Sequence, residues 1–187
     1  KINQSMKIIS KFFFHITGWR IIGDNAFPLK CVAIAAPHTS NWDFVFGRCY
    51  AYIVGIRPKY LAKSELFSWF LSPFLKMNGA IPVNRSDRNN LVKCLSKLFD
   101  EKEDLILNLA PEGTRKRVSK WKTGFYHIAL KANVPIIIMA IDYKKKEIGV
   151  IGKIIPSGDY LKDISVIEHM YNDVQAKYPH DFNRSFS

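Results

Sequence analysis

Three features predict an α/β fold, a single domain built on a mixed, mostly parallel sheet flanked by helices. Apolar runs of strand length alternate with stretches of helical apolar spacing over most of the chain. The 187 residues suffice for one domain with a substantial core and fall short of two comfortable ones. Hydrophobic residues make up 48%, and no low-complexity tract or internal repeat interrupts them, which excludes a disordered or repeat architecture.

The elements follow in order. In "KINQSMKIISKFFFHITGW", Ile2, Met6, Ile9, Phe13 and Ile16 recur at steps of four and three, a helical stripe widened by Ile8, Phe12 and Phe14. This first unit, residues 1–18, has two readings. It packs on the domain formed by residues 19–187, or it lies in a membrane interface, for which its basic flanks, three adjacent phenylalanines and Trp19 are suited. "WRIIG" and "CVAIAAP" read as strands. Asn41–Val54 carries Trp42, Val45, Cys49 and Ile53 at helical spacing. "PKYLAK" is a short strand, and Glu65–Met77 a helix strained or broken near Pro73.

"GAIPVNR" is a strand running into a loop, and Asn89–Lys102 a helix with Leu91, Leu95 and Leu98 on one face. "DLILNLAP" is a buried strand, followed by a helix from Thr123 to Ala132 with Thr123 as its cap. "PIIIMAIDY", "KKKE" and "IGVIG" form a strand and hairpin, and the last helix runs from about Tyr160 to Lys177.

Basic side chains outnumber acidic ones 28 to 16, a net charge of +12 that attracts polyanions: nucleic acid, anionic lipid headgroups or phosphorylated substrates. Composition alone does not choose among them. No RNA-binding, helix-turn-helix or zinc-finger signature appears, so nucleic acid is not expected as a partner. Cys31, Cys49 and Cys94 are few, odd in number and set among apolar residues, which fits reduced, buried thiols in a cytoplasmic compartment. No apolar run approaches the roughly 18–20 residues of a spanning helix, and no signal peptide is visible in a chain that opens on Lys1.

In open α/β sheets, sites gather at the carboxyl ends of strands. His38, Lys63, Arg85 and Glu112 all lie at or just past such an end. Pro37 keeps His38 out of a helix, so the strand ends near Ala36, His38 sits in the turn, and Ser40 or Asn41 starts the next helix. With Ser40 as cap, Asp43 falls in the first turn, where its carboxylate can reach back to the imidazole. An imidazole oriented at Nδ1 leaves Nε2 free to take a proton from a hydroxyl. The plainer alternative is a helix-capping Asp43 beside a loop histidine.

In "APEGTRKR", Glu112 precedes Gly113, which permits close backbone approach, Thr114, which offers a hydroxyl, and Arg115, which can grip two phosphate oxygens. A turn leading into a solvated basic loop is the plainer reading there. Lys63 and Arg85 singly read as surface charge, and together they add cations to the edge that carries His38. Pro135 opens a fully apolar strand, an ordinary strand start that would also suit a wall against an acyl chain.

Taken together, "HTSNWD", "GAIPVNR", "PEGTR" and "VPI" resemble, in order and spacing, the four motifs of the glycerolipid acyltransferase family. The nearest likeness is to its 1-acyl-glycerol-3-phosphate acyltransferases. The match spans His38 to about Pro135. Pro37, Pro82, Ala110 and Lys116 depart from the residues usual in those motifs without removing a proposed reacting group.

The resemblance implies a glycerol-3-phosphate acyltransferase-like fold and acyl transfer from an acyl-CoA or acyl-carrier-protein thioester to a lysophospholipid hydroxyl. His38 would be the base and Asp43 its orienter. Arg85, Glu112, Gly113, Thr114 and Arg115, with Lys63 assisting, would hold the acceptor's phosphate and glycerol. No metal or bound cofactor is implied. The partners implied are the thioester donor, the phosphorylated lysolipid and an anionic membrane surface. The location implied is the cytoplasmic face of the inner membrane, in a peripheral position, and the compact size suits a bacterium. A different acceptor (glycerol 3-phosphate or a lyso-aminolipid) and a non-catalytic basic domain that binds lipid or nucleic acid are the rival readings.

Overall fold

The structure, a computed structural model, describes residues 4–67, 69–83 and 88–185. Helix α1 (Gln4–Thr17) leads into β1 (Arg20–Ile22) and β2 (Lys30–Ala36). Then come α2 (Trp42–Val54), β3 (Lys59–Lys63), a 3-10 turn at Ser64–Leu66, and α3 (Ser72–Met77). The chain continues through β4 (Ala80–Val83), α4 (Arg88–Glu101), β5 (Leu105–Leu109), α5 (Gly124–Ala132), β6 (Ile136–Asp142), β7 (Glu147–Ile154) and α6 (Tyr160–Met170).

The seven strands of the described residues join one sheet in the order β1-β7-β6-β2-β5-β3-β4, and every pairing among them but the antiparallel β6–β7 hairpin is parallel. This is the mixed, mostly parallel sheet expected from the alternation of strand and helix periods. The central strand β2 runs beside β5 and β6 with Val32, Ala33 and Ile34 almost wholly buried, as a strand covered on both faces requires.

Alternate side chains of β2 feed two cores. Val32, Ile34 and Ala36 join Leu95, Phe99, Phe125, Ile128, Ile164 and Ile167 from α4, α5 and α6 on one face. Cys31 and Ala33 join Phe14, Phe46 and Tyr50 from α1 and α2 on the other. The crossovers through α2 and α3 step the same way along the sheet, so right-handed connections put both helices on the α1 side.

Several local expectations are revised. Glu65–Met77 is no single helix: α3 begins only at Ser72 and carries Pro73 in its first turn, where the missing N–H costs nothing. The last helix stops at Met170 instead of Lys177. Tyr171 is fully buried with its hydroxyl donating to the Met139 carbonyl, and Tyr143 N–H then donates to Gln175, so the chain leaves the helix to follow the sheet. Thr123 precedes α5 but makes no side-chain cap bond.

In α2 the buried face is Asp43, Phe46, Tyr50 and Ala51, leaving Trp42 and Val45 of the expected stripe exposed. The three cysteines are free, but Cys94 is exposed and only Cys31 is fully buried. Both faces of α1 are apolar. Phe13 and Phe14 pack on Phe46 while Ile8, Ile9, Phe12 and Ile16 face solvent.

Candidate active site

Where β2 ends, the Ala36–Pro37 bond is cis and the chain turns through His38 into α2. Asp43, in the first turn of that helix and 4% exposed, reaches back across the turn. Its Oδ2 accepts from Ser40 N–H (2.8 Å) and Thr39 N–H (2.9 Å), and lies 3.1 Å from His38 Nδ1. Its Oδ1 accepts from the Tyr143 hydroxyl at 2.6 Å. An ionised carboxylate only accepts hydrogen bonds, so Nδ1 carries the imidazole proton and Nε2 is left with a lone pair. The imidazole is 30% exposed and the Asp43 side chain 3%. One face of the pair is thus open to a reactant and the other sealed.

Glu112, at the turn after β5, is also 4% exposed and directs both carboxylate oxygens at His38 N–H, at 2.9 and 3.1 Å. The base is thus held by two carboxyl groups, that of Asp43 in the first turn of α2 on its ring and that of Glu112 after β5 on its backbone. Burial pushes the Glu112 carboxyl up to about 7; the nearby Asp43 charge adds to this, while the His38 amide and imidazole oppose it.

The sign of the consequence is fixed. A carboxyl raised in the folded state favours folding while protonated, so wild-type stability falls as pH rises from about 4.5 towards 7. By linkage the loss approaches about 3 kcal/mol. Glu112→Gln keeps an acceptor for His38 N–H and removes this proton. Chemical denaturation from pH 4.5 to 8 is expected to show the variant gaining on wild type across that window; parallel curves would refute the assignment.

His38 and Asp43 open on a cavity of about 800 Å3, within the size of small-molecule sites. Its walls are mainly apolar, with Ala33, Ala35, Phe44, Tyr60, Met139 and Ile141 among them. Gly113 and Lys122 line it as well. Gly113 has φ +68°, and an added Cβ would come within 2.9 Å of the Lys122 side chain, so glycine here lets that cation lie against the turn.

A family model described as "Acyltransferase" matches residues 20–142, which include His38, Asp43 and Glu112 and stop one residue short of Tyr143. The chain belongs to the acyltransferase family. It is 32% identical over 108 residues to a 1-acyl-sn-glycerol-3-phosphate acyltransferase of Haemophilus influenzae, a match that covers 54% of this chain and 43% of the relative. The chain therefore spans less than half the length of that protein. Its fold is similar to the crystal structure of the 1-acyl-sn-glycerophosphate acyltransferase of Thermotoga maritima, with a TM-score of 0.57 at 15% identity over 92% of this chain and 81% of the other.

Within this member of the family, the expected site residues are placed unequally. His38 and Asp43 meet as their spacing suggests, although Ser40 serves by its backbone N–H and its Oγ accepts from Trp42 N–H. Glu112 faces the His38 backbone, not an open phosphate site. Thr114 and Arg115 are exposed, and Thr114 Oγ1 accepts from Lys116 N–H within its own turn. Lys63 ends β3 exposed, and Arg85 lies outside the described residues.

Pro135 is corrected as an acyl-pocket candidate. It precedes β6, which runs parallel to β2 with Val32 beside Ile136 and Ala36 beside Ala140. Pro135 therefore sits at the amino end of the sheet, over 13 Å of strand from the His38 end at ~3.3 Å per residue. Met139 and Ile141, near the other end of that strand, form the cavity wall.

The sequence reading missed Tyr143, Lys122 and Lys177. Tyr143 follows β6 immediately, and the strand-end argument that singled out His38 and Glu112 would have found it. Lys177, whose Nζ lies 5.2 Å from the Trp42 ring centre, gave no signal because its segment read as helix.

Proposed function

We propose that the protein transfers a fatty acyl group from an acyl-CoA or acyl-carrier-protein thioester to the hydroxyl of a lysophospholipid, foremost 1-acyl-sn-glycerol 3-phosphate. The observation that carries this reading is an imidazole fixed by Asp43 at Nδ1, with no partner at Nε2 among the described residues, on a largely apolar cavity. His38 Nε2 takes the acceptor's hydroxyl proton as that oxygen attacks the thioester carbonyl. The C–S bond then breaks, and the leaving thiolate takes the proton back from the imidazolium. Asp43 orients the ring and stabilises its cationic form. Lys63, Lys122 and Arg115, with Arg85, are the cations proposed for the acceptor's phosphate, and Gly113 and Thr114 are proposed to meet the acceptor beside them. No metal or cofactor enters these steps, because the thioester is already activated.

The test is incubation of purified protein with both thioester classes and a panel of lysolipids and glycerol 3-phosphate, with products identified by mass spectrometry. Phosphatidic acid formed from 1-acyl-sn-glycerol 3-phosphate is the expected result. Product from another acceptor alone would move the assignment, and no acyl transfer at all would end it.

Membrane association belongs to the same reading. Among the described residues no helix is long and apolar enough to cross a membrane. Large apolar side chains are exposed on α1 (Ile8, Phe12, Ile16), in the turn before α3 (Trp69, Phe70) and on α3 (Phe74), surface suited to a bilayer interface. Lys and Arg near an anionic leaflet each add about 1 kcal/mol of attraction. Flotation with anionic vesicles is expected to carry the protein, and a Phe12→Ser/Ile16→Ser variant to float markedly less. Equal flotation would make the outer face of α1 irrelevant to binding.

A further inference from the structure

We infer that Tyr143 is a positioning residue of the reaction, whose hydroxyl completes the orienting shell of Asp43. The inference rests on the acyl-transfer reading and adds to it a group outside the motif residues. Asp43 has two oxygens and two tasks. Oδ2 is engaged by the Thr39 and Ser40 amides and by His38, all from its own turn. Among the described residues Oδ1 is held by one bond, from outside that turn: the 2.6 Å bond from Tyr143, a hundred residues further along the chain. Without it the carboxylate can rotate about its Cβ–Cγ bond, and the imidazole it guides rotates with it.

Tyr143 is built to donate. Its ring packs edge-on against Trp19 at 5.1 Å and Phe46 at 6.0 Å, and its N–H is bonded to Gln175, so ring and backbone are both fixed. Burial, then the Asp43 carboxylate it bonds, holds the phenol far above its usual range and the proton stays in place. The other groups facing this centre are the Glu112 carboxylate beyond His38, the Tyr178 phenol, and the Lys177 ammonium 5.8 Å from the Tyr143 ring centre. The Tyr143 bond also tempers the Asp43 charge. Removing it leaves a carboxylate that attracts the imidazole proton more strongly.

Tyr143→Phe deletes only the oxygen and keeps the ring packing. Its kcat is expected to fall about tenfold with KM nearly unchanged, and the acid limb of its kcat/KM profile to move to higher pH. In a His38→Ala background the same substitution is expected to cost nothing further. A Tyr143→Phe protein with wild-type kcat and pH profile beside a His38→Ala variant without activity overturns the role of Tyr143 alone. So does a loss of rate with an unmoved pH profile, or a thermal midpoint that collapses in Tyr143→Phe, since each makes the bond merely structural. Full activity in His38→Ala, or none in wild type, overturns the acyl-transfer reading and this inference with it.

Discussion

His38→Ala is expected to lower turnover by at least two orders of magnitude while the thermal midpoint stays near that of wild type. The first half follows from chemistry. A neutral hydroxyl is a poor nucleophile, and a positioned general base contributes typically about 10²–10⁴ in rate. The second half follows from where the ring sits. The imidazole is 30% exposed at the rim of the cavity and fills no core volume. The bond that ties this turn to the β5 end is made by the His38 backbone N–H, which alanine keeps. Asp43 keeps its amide donors from Thr39 and Ser40 and its hydroxyl donor from Tyr143. A folded variant that turns over normally would remove His38 from the mechanism, whatever the motifs suggest.

The fold was legible because its signals are local and repeated. Val32–Ile34, Leu105–Leu107 and Ile136–Ile141 announce buried strands, and the helical periods between them announce crossovers. The pair at the heart of the site was legible in part. Pro37 ends the strand and the next helix begins within five residues, which lets Asp43 reach back to His38. The spacing left a helix-capping Asp43 open, and only the joint resemblance of the four motifs favoured the pair. What sequence could not supply were contacts made over long separations. Tyr143 meets Asp43 across a hundred positions, and Lys177 reaches Trp42 from a segment whose apolar spacing imitates a helix.

Glu112 shows the opposite failure. Its motif was visible, but only the fold reveals that its carboxylate is turned to the His38 amide. Pro135 fails differently again, because a strand's direction relative to its neighbours decides which of its ends meets the site.

Asp43→Asn separates orientation from charge. Asparagine can place its carbonyl oxygen where Oδ2 stands, keeping the bonds from Thr39, Ser40 and the imidazole, and turn its amide towards the Tyr143 oxygen, which can accept. The loop is therefore expected to fold as in wild type. What is lost is a full negative charge beside the ring when it becomes cationic. Two unit charges about 4 Å apart interact by roughly 4 kcal/mol at an effective dielectric near 20, which sets an upper scale of about a thousandfold.

A fall in kcat of about 10²–10³ with KM little changed is the expected outcome, since Asp43 is buried behind the histidine. The pH profile supplies a second, independent sign. A neutral orienter stabilises the imidazolium less, so the acid limb moves to lower pH, opposite to the direction expected for Tyr143→Phe. Asp43→Ala, by contrast, strips acceptors from two buried amides and is expected to lose stability as well as rate. A well-folded Asp43→Asn protein with near wild-type kcat would mean that the carboxylate serves only to cap its helix and that the imidazole acts, if it acts, without a charged partner.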